Sequence, residues 1–275
     1  MISYFSGFLA QPEVQAQTSS QHITKVAVII ETHEQLSCLC SLLEDIGKQK
    51  LYQTKIDIYV VNNATEDVTP ADLQRFYFAD IRLLQPGKYL GNYGGFYYGL
   101  RFVSKLRYDY VWLLDDDVRL DPLALTTLIT TLQENHEVGL VGSQIYQLKE
   151  PKTIQEFGRL INDGKPQAKI NFDKNGNILN DEILKSKPYI RVEDFTDKSL
   201  LLRHKIVKHG VFKGYRLHYN DIDLCSRVKQ AGWIIAINPS SIIWYNSLAP
   251  DFWSGINYDY ECSFYYWQKY RPDLL

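Results

Sequence analysis

Three consecutive carboxylates, Asp115, Asp116 and Asp117, close an apolar run, Tyr110-Val111-Trp112-Leu113-Leu114. Adjacent carboxylates at the tip of a buried strand repel one another unless a cation lies among them. Along an extended backbone residues i and i+2 share a face, so Asp115 and Asp117 can approach one ion together while Asp116 points the other way. Oxygen ligands with room for water suit Mg²⁺ or Mn²⁺, ions that commonly bridge carboxylates to phosphates. An acidic turn capping the next helix is the competing explanation, since Asp121-Pro122 has the form of an N-cap followed by Pro at N1. Asp121 serves that purpose without three more acids upstream. An EF-hand calcium loop is excluded, because Leu120 and Thr126 stand where its glycine and bidentate Glu belong.

Two further segments could do chemistry. Leu90-Gly91-Asn92-Tyr93-Gly94-Gly95-Phe96-Tyr97-Tyr98-Gly99-Leu100 is a glycine-rich lead into a helix. Glycines there allow close backbone approach, and a helix N-terminus attracts an anion such as a pyrophosphate. Tight helix packing accounts for the same glycines, and the pattern is neither GxGxxG nor GxxxxGK[ST]. The stretch Tyr219-Asn220-Asp221-Ile222-Asp223 opens another helix. A carboxylate in its first turn is favoured by the helix dipole, so Asp221 is either a capping acid or a general base on a rigid mount.

The elements that must position these groups follow from periodicity. Val26-Ala27-Val28-Ile29-Ile30 is an unbroken apolar run, expected of a strand covered on both faces. Leu36, Leu39, Leu43 and Ile46 then recur at helical spacing, and Ile56 to Val61 forms a second strand ending in Asn62-Asn63-Ala64-Thr65. Ile81 to Leu84 is a third strand, Gly94 to Leu106 a helix, residues 110–114 a strand, and a helix starts at Pro122. The spacing predicts a helix over Asp221 to Ala231 with Gly232 at C′, then strands at Ile234–Ile237 and Ile242–Trp244. Alternation of this kind predicts an α/β fold with a mostly parallel sheet flanked by helices, whose ligands lie beyond the carboxyl ends of the strands. Residues 149–197 are rich in Lys, Asp and Asn, and Asn175-Gly176 is a hairpin signal, so a strand-and-loop insertion is expected there. We expect an extension over 1–22 and one domain over 23–270, with a nucleotide-binding half at about 23–148 and an acceptor-side half at about 149–270.

Charge is nearly balanced, 30 basic against 32 acidic residues, so no global field points to nucleic acid. Cys38, Cys40, Cys225 and Cys262 form no CxxC pair and no zinc spacing. Neither a leader peptide nor an apolar run of bilayer length is evident, which predicts a cytoplasmic chain. Its aromatic tails leave peripheral contact with the inner face of the membrane open, and the oligomeric state is not legible.

Taken in order, Val60-Val61-Asn62-Asn63-Ala64-Thr65, the glycine-rich loop, Leu113-Leu114-Asp115-Asp116-Asp117, Asn220-Asp221-Ile222-Asp223-Leu224-Cys225-Ser226-Arg227 with Ala231-Gly232, and Ile243-Trp244-Tyr245 resemble the GT-A-fold, family 2 inverting glycosyltransferases. The resemblance is especially to the bacterial rhamnosyltransferase and galactofuranosyltransferase branch, over roughly residues 25–270. The resemblance implies a central sheet with a small strand-and-loop insertion and an aromatic C-terminal segment. It also implies that Asp115 and Asp117 hold Mg²⁺ or Mn²⁺ against the diphosphate of a nucleotide sugar, most simply a UDP- or dTDP-sugar. Asp116 would face the donor, Thr32, Asn62, Gly94 and Gly95 would contact it, and Asp221 would deprotonate the acceptor hydroxyl. The acceptor would be a saccharide or lipid-linked saccharide of a bacterial surface polysaccharide, with Trp244, Tyr245, Trp253 and His218 on its side. Three positions depart from the family pattern. Asn62 replaces an Asp that reads the base, Tyr89 and Asn92 replace an Asn and a Gly of the glycine loop, and Tyr245 replaces a metal-binding His. These departures sustain a second reading, a non-catalytic module that binds sugar nucleotide or glycan.

Overall fold

The protein is described by a computed structural model over residues 22–33, 35–63, 68–91, 94–151, 154–156, 160–162, 165–167, 187–195, 198–208 and 220–245. Its strands are β1 (Thr24–Thr32), β2 (Thr54–Asn62), β3 (Asp80–Leu84), β4 (Tyr110–Asp115), β5 (Val118–Leu120), β6 (Val138–Gln147), β7 (Ile154–Glu156), β8 (Leu160–Asn162), β9 (Lys165–Gln167), β10 (Ile190–Arg191), β11 (Ser199–Arg203) and β12 (Ile234–Tyr245). Its helices are α1 (Leu36–Gly47), α2 (Pro70–Leu73), α3 (Gly94–Val103), α4 (Ala124–Glu134), α5 (His204–Lys208) and α6 (Asn220–Gln230).

The main sheet runs β10-β12-β6-β11-β4-β1-β2-β3, with β5 on β12 and β7 on β6. The β1–β2, β1–β4, β2–β3 and β6–β12 pairs are parallel, and β11 lies antiparallel between β4 and β6. β1 shows why the apolar run had to be covered twice. Val26, Val28 and Ile30 enter one core with Leu39, Leu42, Leu43 and Ile46 of α1, whereas Ala27 and Ile29 enter the other with Phe96, Leu100 and Val103 of α3. That is the period-2 alternation of a strand between two helical layers.

Several boundaries differ from the sequence expectation for local reasons. The α3 helix stops at Val103 instead of Leu106, where Lys105 and Leu106 donate their amides three residues back to Phe102 and Val103 and tighten the chain into a turn. The α4 helix starts at Ala124, because Asp121 Oδ1 accepts the Leu123 amide (2.8 Å) and makes Pro122-Leu123 a turn. Gln49 supplies a distant cap: its Oε1 accepts the Leu125 amide at 3.0 Å and its Nε2 donates to the Asp121 carbonyl at 2.8 Å. The two C-terminal strand segments are one strand, β12, with its register to β6 broken between Asn238 and Ile242. β6 carries Gly139 and Gly142 because added Cβ atoms would stand 2.7 Å from Ile206 Cδ1 and 2.9 Å from Phe195 Cε2. Within the 149–197 segment, β8 and β9 pair antiparallel, and Asn175-Gly176 lies outside the described residues. Cys38, Cys40 and Cys225 form no disulfide with one another, and Cys262 lies outside the described residues. Among the described residues no helix is long and apolar enough to cross a membrane.

Candidate functional site

Register brings the candidate residues to one edge of the sheet. In the β1–β2 pair Thr32 sits opposite Asn62, and in the β1–β4 pair Glu31 sits opposite Asp115. The ends of three parallel strands therefore meet where an open α/β sheet places its ligands. Thr32 and Asn62 are each only 1% exposed. The Thr32 hydroxyl donates to Asp116 Oδ2 at 2.6 Å, fixing Asp116 on the α1 side of the sheet while Asp115 faces the other. Burial above all, together with the charges of Asp115 and Asp117, pushes the Asp116 carboxyl up to about 7 despite that bond. Burial also pushes Asp117 up to about 6, against the opposing pull of Lys198. Asp116 and its neighbours raise the nearby Cys38 thiol as well, after burial.

Carboxylate oxygens of Asp115, Asp116 and Asp117 lie within 4.8 Å of one another. Asp117 Oδ1 is buried with no hydrogen-bond partner among the described residues. A hard donor set with an unsatisfied buried oxygen fits a divalent cation. One group that sequence reasoning missed already neutralises part of this charge. Lys198 donates its ammonium to Asp115 Oδ2 in a very short contact, stands 3.7 Å from Asp117 Oδ1, and lies 4.3 Å from the centroid of the Tyr245 ring. The Asp115 amide in turn donates to the Lys198 carbonyl at 3.3 Å. Burial raises the Tyr245 phenol and Lys198 opposes the rise, so Tyr245 is the neutral wall of the ammonium's pocket.

The glycine-rich loop has a concrete occupant. Glu31, 7% exposed, accepts the Gly95 amide on Oε1 (3.2 Å), the Phe96 amide on Oε2 (3.1 Å) and Asn63 Nδ2 on Oε1 (2.6 Å). Asn63 also donates to the Gly91 carbonyl and accepts the Leu90 amide. The positive end of α3 is thus answered by a carboxyl of the protein. Burial, then the Asp115 charge, nevertheless pushes Glu31 up to about 8. The glycines are sterically required: a Cβ at Gly94 would lie 2.2 Å from Leu90 Cβ, at Gly95 2.5 Å from Glu31 Cδ, and at Gly99 2.6 Å from Ile29 Cγ2. Local sequence could have flagged Glu31 as an acid ending a buried strand, whereas Lys198 carries no local signal.

Asp221 lies in the first turn of α6, its side chain being outside the described residues. Asp223 is distinguished from it, because its Oδ2 accepts Arg227 Nε at 2.6 Å within the helix. Trp244 and Tyr245 are half-buried on successive positions of β12, and Trp244 Nε1 has no hydrogen-bond partner among the described residues. His218 and Trp253 lie outside the described residues.

A mixed sheet of this order, with carboxylates at its ligand-facing edge, is a GT-A fold. Residues 27–216 match the family described as glycosyl transferase family 2, and since that is well over half the chain, the chain belongs to that family. No curated protein matches the sequence. Among solved structures, S. aureus TarS 1–349 in complex with UDP-GlcNAc is 12% identical over 84% of this chain and 61% of that one, with a TM-score of 0.59. The mannosyltransferase PcManGT from Pyrobaculum calidifontis, in complex with GDP-Man and Mn²⁺, is 15% identical over 88% of this chain and 60% of that one, at 0.57. At such identities the likeness is one of fold. The chain spans about three fifths of the length of these structures.

Proposed function

We propose that the protein transfers a sugar from a nucleoside-diphosphate sugar to a hydroxyl of a saccharide or lipid-linked saccharide, with inversion at the anomeric carbon. The observation that carries this reading is the Asp115–Asp117 cluster beside Thr32 and Asn62, at the ends of three parallel strands in a family 2 chain. Similar folds that hold UDP-GlcNAc, or GDP-Man with Mn²⁺, support a nucleotide-sugar donor. Thr32, Asn62 and Asp116 are assigned to the donor's nucleoside end, and Gly94 and Gly95 shape its cleft by their close packing on Leu90 and Glu31. Asn62, whose Nδ2 donates to the Val68 carbonyl at 3.4 Å, carries an amide of the chemistry that a uracil or thymine edge can pair with, and on that ground we favour a UDP- or dTDP-sugar.

Asp115 and Asp117 are the residues that would hold Mg²⁺ or Mn²⁺. Bound there, such an ion supplies counter-charge to the departing nucleoside diphosphate. The chain's own chemistry is a proton transfer: the Asp221 carboxylate takes the acceptor's hydroxyl proton as that oxygen bonds to the anomeric carbon and the bond to the diphosphate breaks. Trp244 and Tyr245, with Trp253 and His218, are assigned to the acceptor side. The place of the reaction is proposed to be the synthesis of a bacterial surface polysaccharide at the inner face of the membrane, in the manner of the rhamnosyl- and galactofuranosyltransferases.

Two substitutions test the assignment. Asp117→Ala should abolish metal-supported donor binding in calorimetry. Asp221→Asn should keep donor binding and lose transfer by about 10²-fold or more, the usual worth of a general base. Wild-type turnover by Asp221→Asn would remove it from that role.

A further inference from the structure

The Lys198 ammonium stands where a cation is wanted. It contacts Asp115 Oδ2, lies 3.7 Å from Asp117 Oδ1, which has no hydrogen-bond partner among the described residues, and is covered by Tyr245 at 4.3 Å. Its backbone is held as well, since β11 pairs with β4 from Ser199 opposite Leu114 and the Asp115 amide donates to the Lys198 carbonyl. Lys198 is only 20% exposed, so its charge is poorly screened from the two carboxylates it faces. A divalent ion at Asp115 and Asp117 competes with the ammonium for Asp115 Oδ2, and the two like charges repel at close range.

We infer that Lys198 is a resident counter-ion of the acidic pair, which a divalent metal must displace, so that the donor-free protein holds metal weakly. The inference rests on the reading of Asp115 and Asp117 as the metal-holding pair. Tyr245 fits the same device: a neutral ring gives the displaced or resident ammonium a cation–π surface. An imidazole at that position would instead have offered the metal another ligand. When the diphosphate of a donor arrives, its negative charge gives the released ammonium a new partner, so metal and donor are expected to bind as a pair.

The test is Mn²⁺ binding to the intact, donor-free chain, followed by the electron paramagnetic resonance of free Mn²⁺. Lys198→Met and Lys198→Gln remove the charge and should tighten Mn²⁺ binding at least tenfold, whereas Lys198→Arg should stay within about threefold of wild type. Adding Asp117→Asn to Lys198→Met should abolish the gain. Thermal unfolding of each variant identifies any that fails to fold, and the two neutral replacements serve as checks on one another. Equal Mn²⁺ affinity in wild type and both folded neutral variants, lost on Asp117→Asn, overturns the counter-ion role while leaving the metal site intact. Absence of Mn²⁺ binding in wild type and in both neutral variants overturns the metal-holding reading and this inference with it.

Discussion

Replacing Gly95 by Ala tests whether the glycine-rich loop is built around Glu31. An added Cβ would stand 2.5 Å from Glu31 Cδ and 2.7 Å from both Cγ and Oε1. Ordinary carbon contacts need about 3.5–4.0 Å, so the carboxyl or the first turn of α3 has to retreat by about 1 Å. Glu31 has little space to yield, because its two oxygens take the Gly95 and Phe96 amides and Asn63. Overpacking costs about 1–3 kcal/mol, and weakening two or three hydrogen bonds to a buried carboxyl costs about 1–3 kcal/mol more. Helix propensity returns up to about 1 kcal/mol. We expect Gly95→Ala to destabilise by about 2–4 kcal/mol in urea unfolding with an unchanged slope. The cycle with Glu31→Ala isolates the cause: without the Glu31 side chain the clash is gone, and Gly95→Ala should then cost under about 1 kcal/mol. A cost equally large in the Glu31→Ala background, or no cost in the wild-type background, would refute the steric account.

Three other outcomes follow from the same geometry. Thr32→Val keeps the volume but removes the 2.6 Å donor to buried Asp116, which should cost about 1.5–3 kcal/mol in urea unfolding; an unchanged midpoint would show the bond to be idle. Gly99→Ala drives a Cβ to 2.6 Å from Ile29 Cγ2 and 3.2 Å from Val61 Cγ2, and should lower the stability read from thermal unfolding by about 1–3 kcal/mol. His204 is 2% exposed with Nε2 on the Val103 carbonyl, and burial lowers its pKa from the ordinary 6.5. The folded state therefore binds fewer protons than the unfolded one below that value, and its contribution, present above pH 6.5, is lost as pH falls. His204→Gln should flatten the decline in stability between about pH 7 and 5, and an identical decline in the variant would contradict the assignment.

Much of the β1–β4 region was legible because its signals are local. β1, β2 and β4 are continuous apolar runs, and each ends in polar residues that the parallel register then gathers. β6 escaped notice because Gly139, Gly142, Ser143 and Gln144 interrupt its pattern, and the reasons for the first three lie in distant partners: Ile206, Phe195, and Ser199 with Ser241. The clustering of the acidic triad was readable from three successive aspartates at the end of an apolar strand. Its lysine was not, because Lys198 is 83 residues from Asp115 in sequence and reaches it only through the antiparallel insertion of β11 beside β4. The glycine loop was read as open to an anion, and a carboxyl from the end of β1 meets its amides, a contact set by tertiary packing and invisible to spacing.

Donor use is read from the release of nucleoside diphosphate. The intact chain should be incubated with UDP-, dTDP- and GDP-sugars in Mn²⁺ or Mg²⁺, with and without saccharide acceptors. Release is expected from one class of donor, a UDP- or dTDP-sugar, and should fall to background on chelation and in Asp117→Ala. Binding of a donor with no release from any sugar nucleotide, under any metal or acceptor, would contradict donor use and assign the fold to a sugar-nucleotide-binding module.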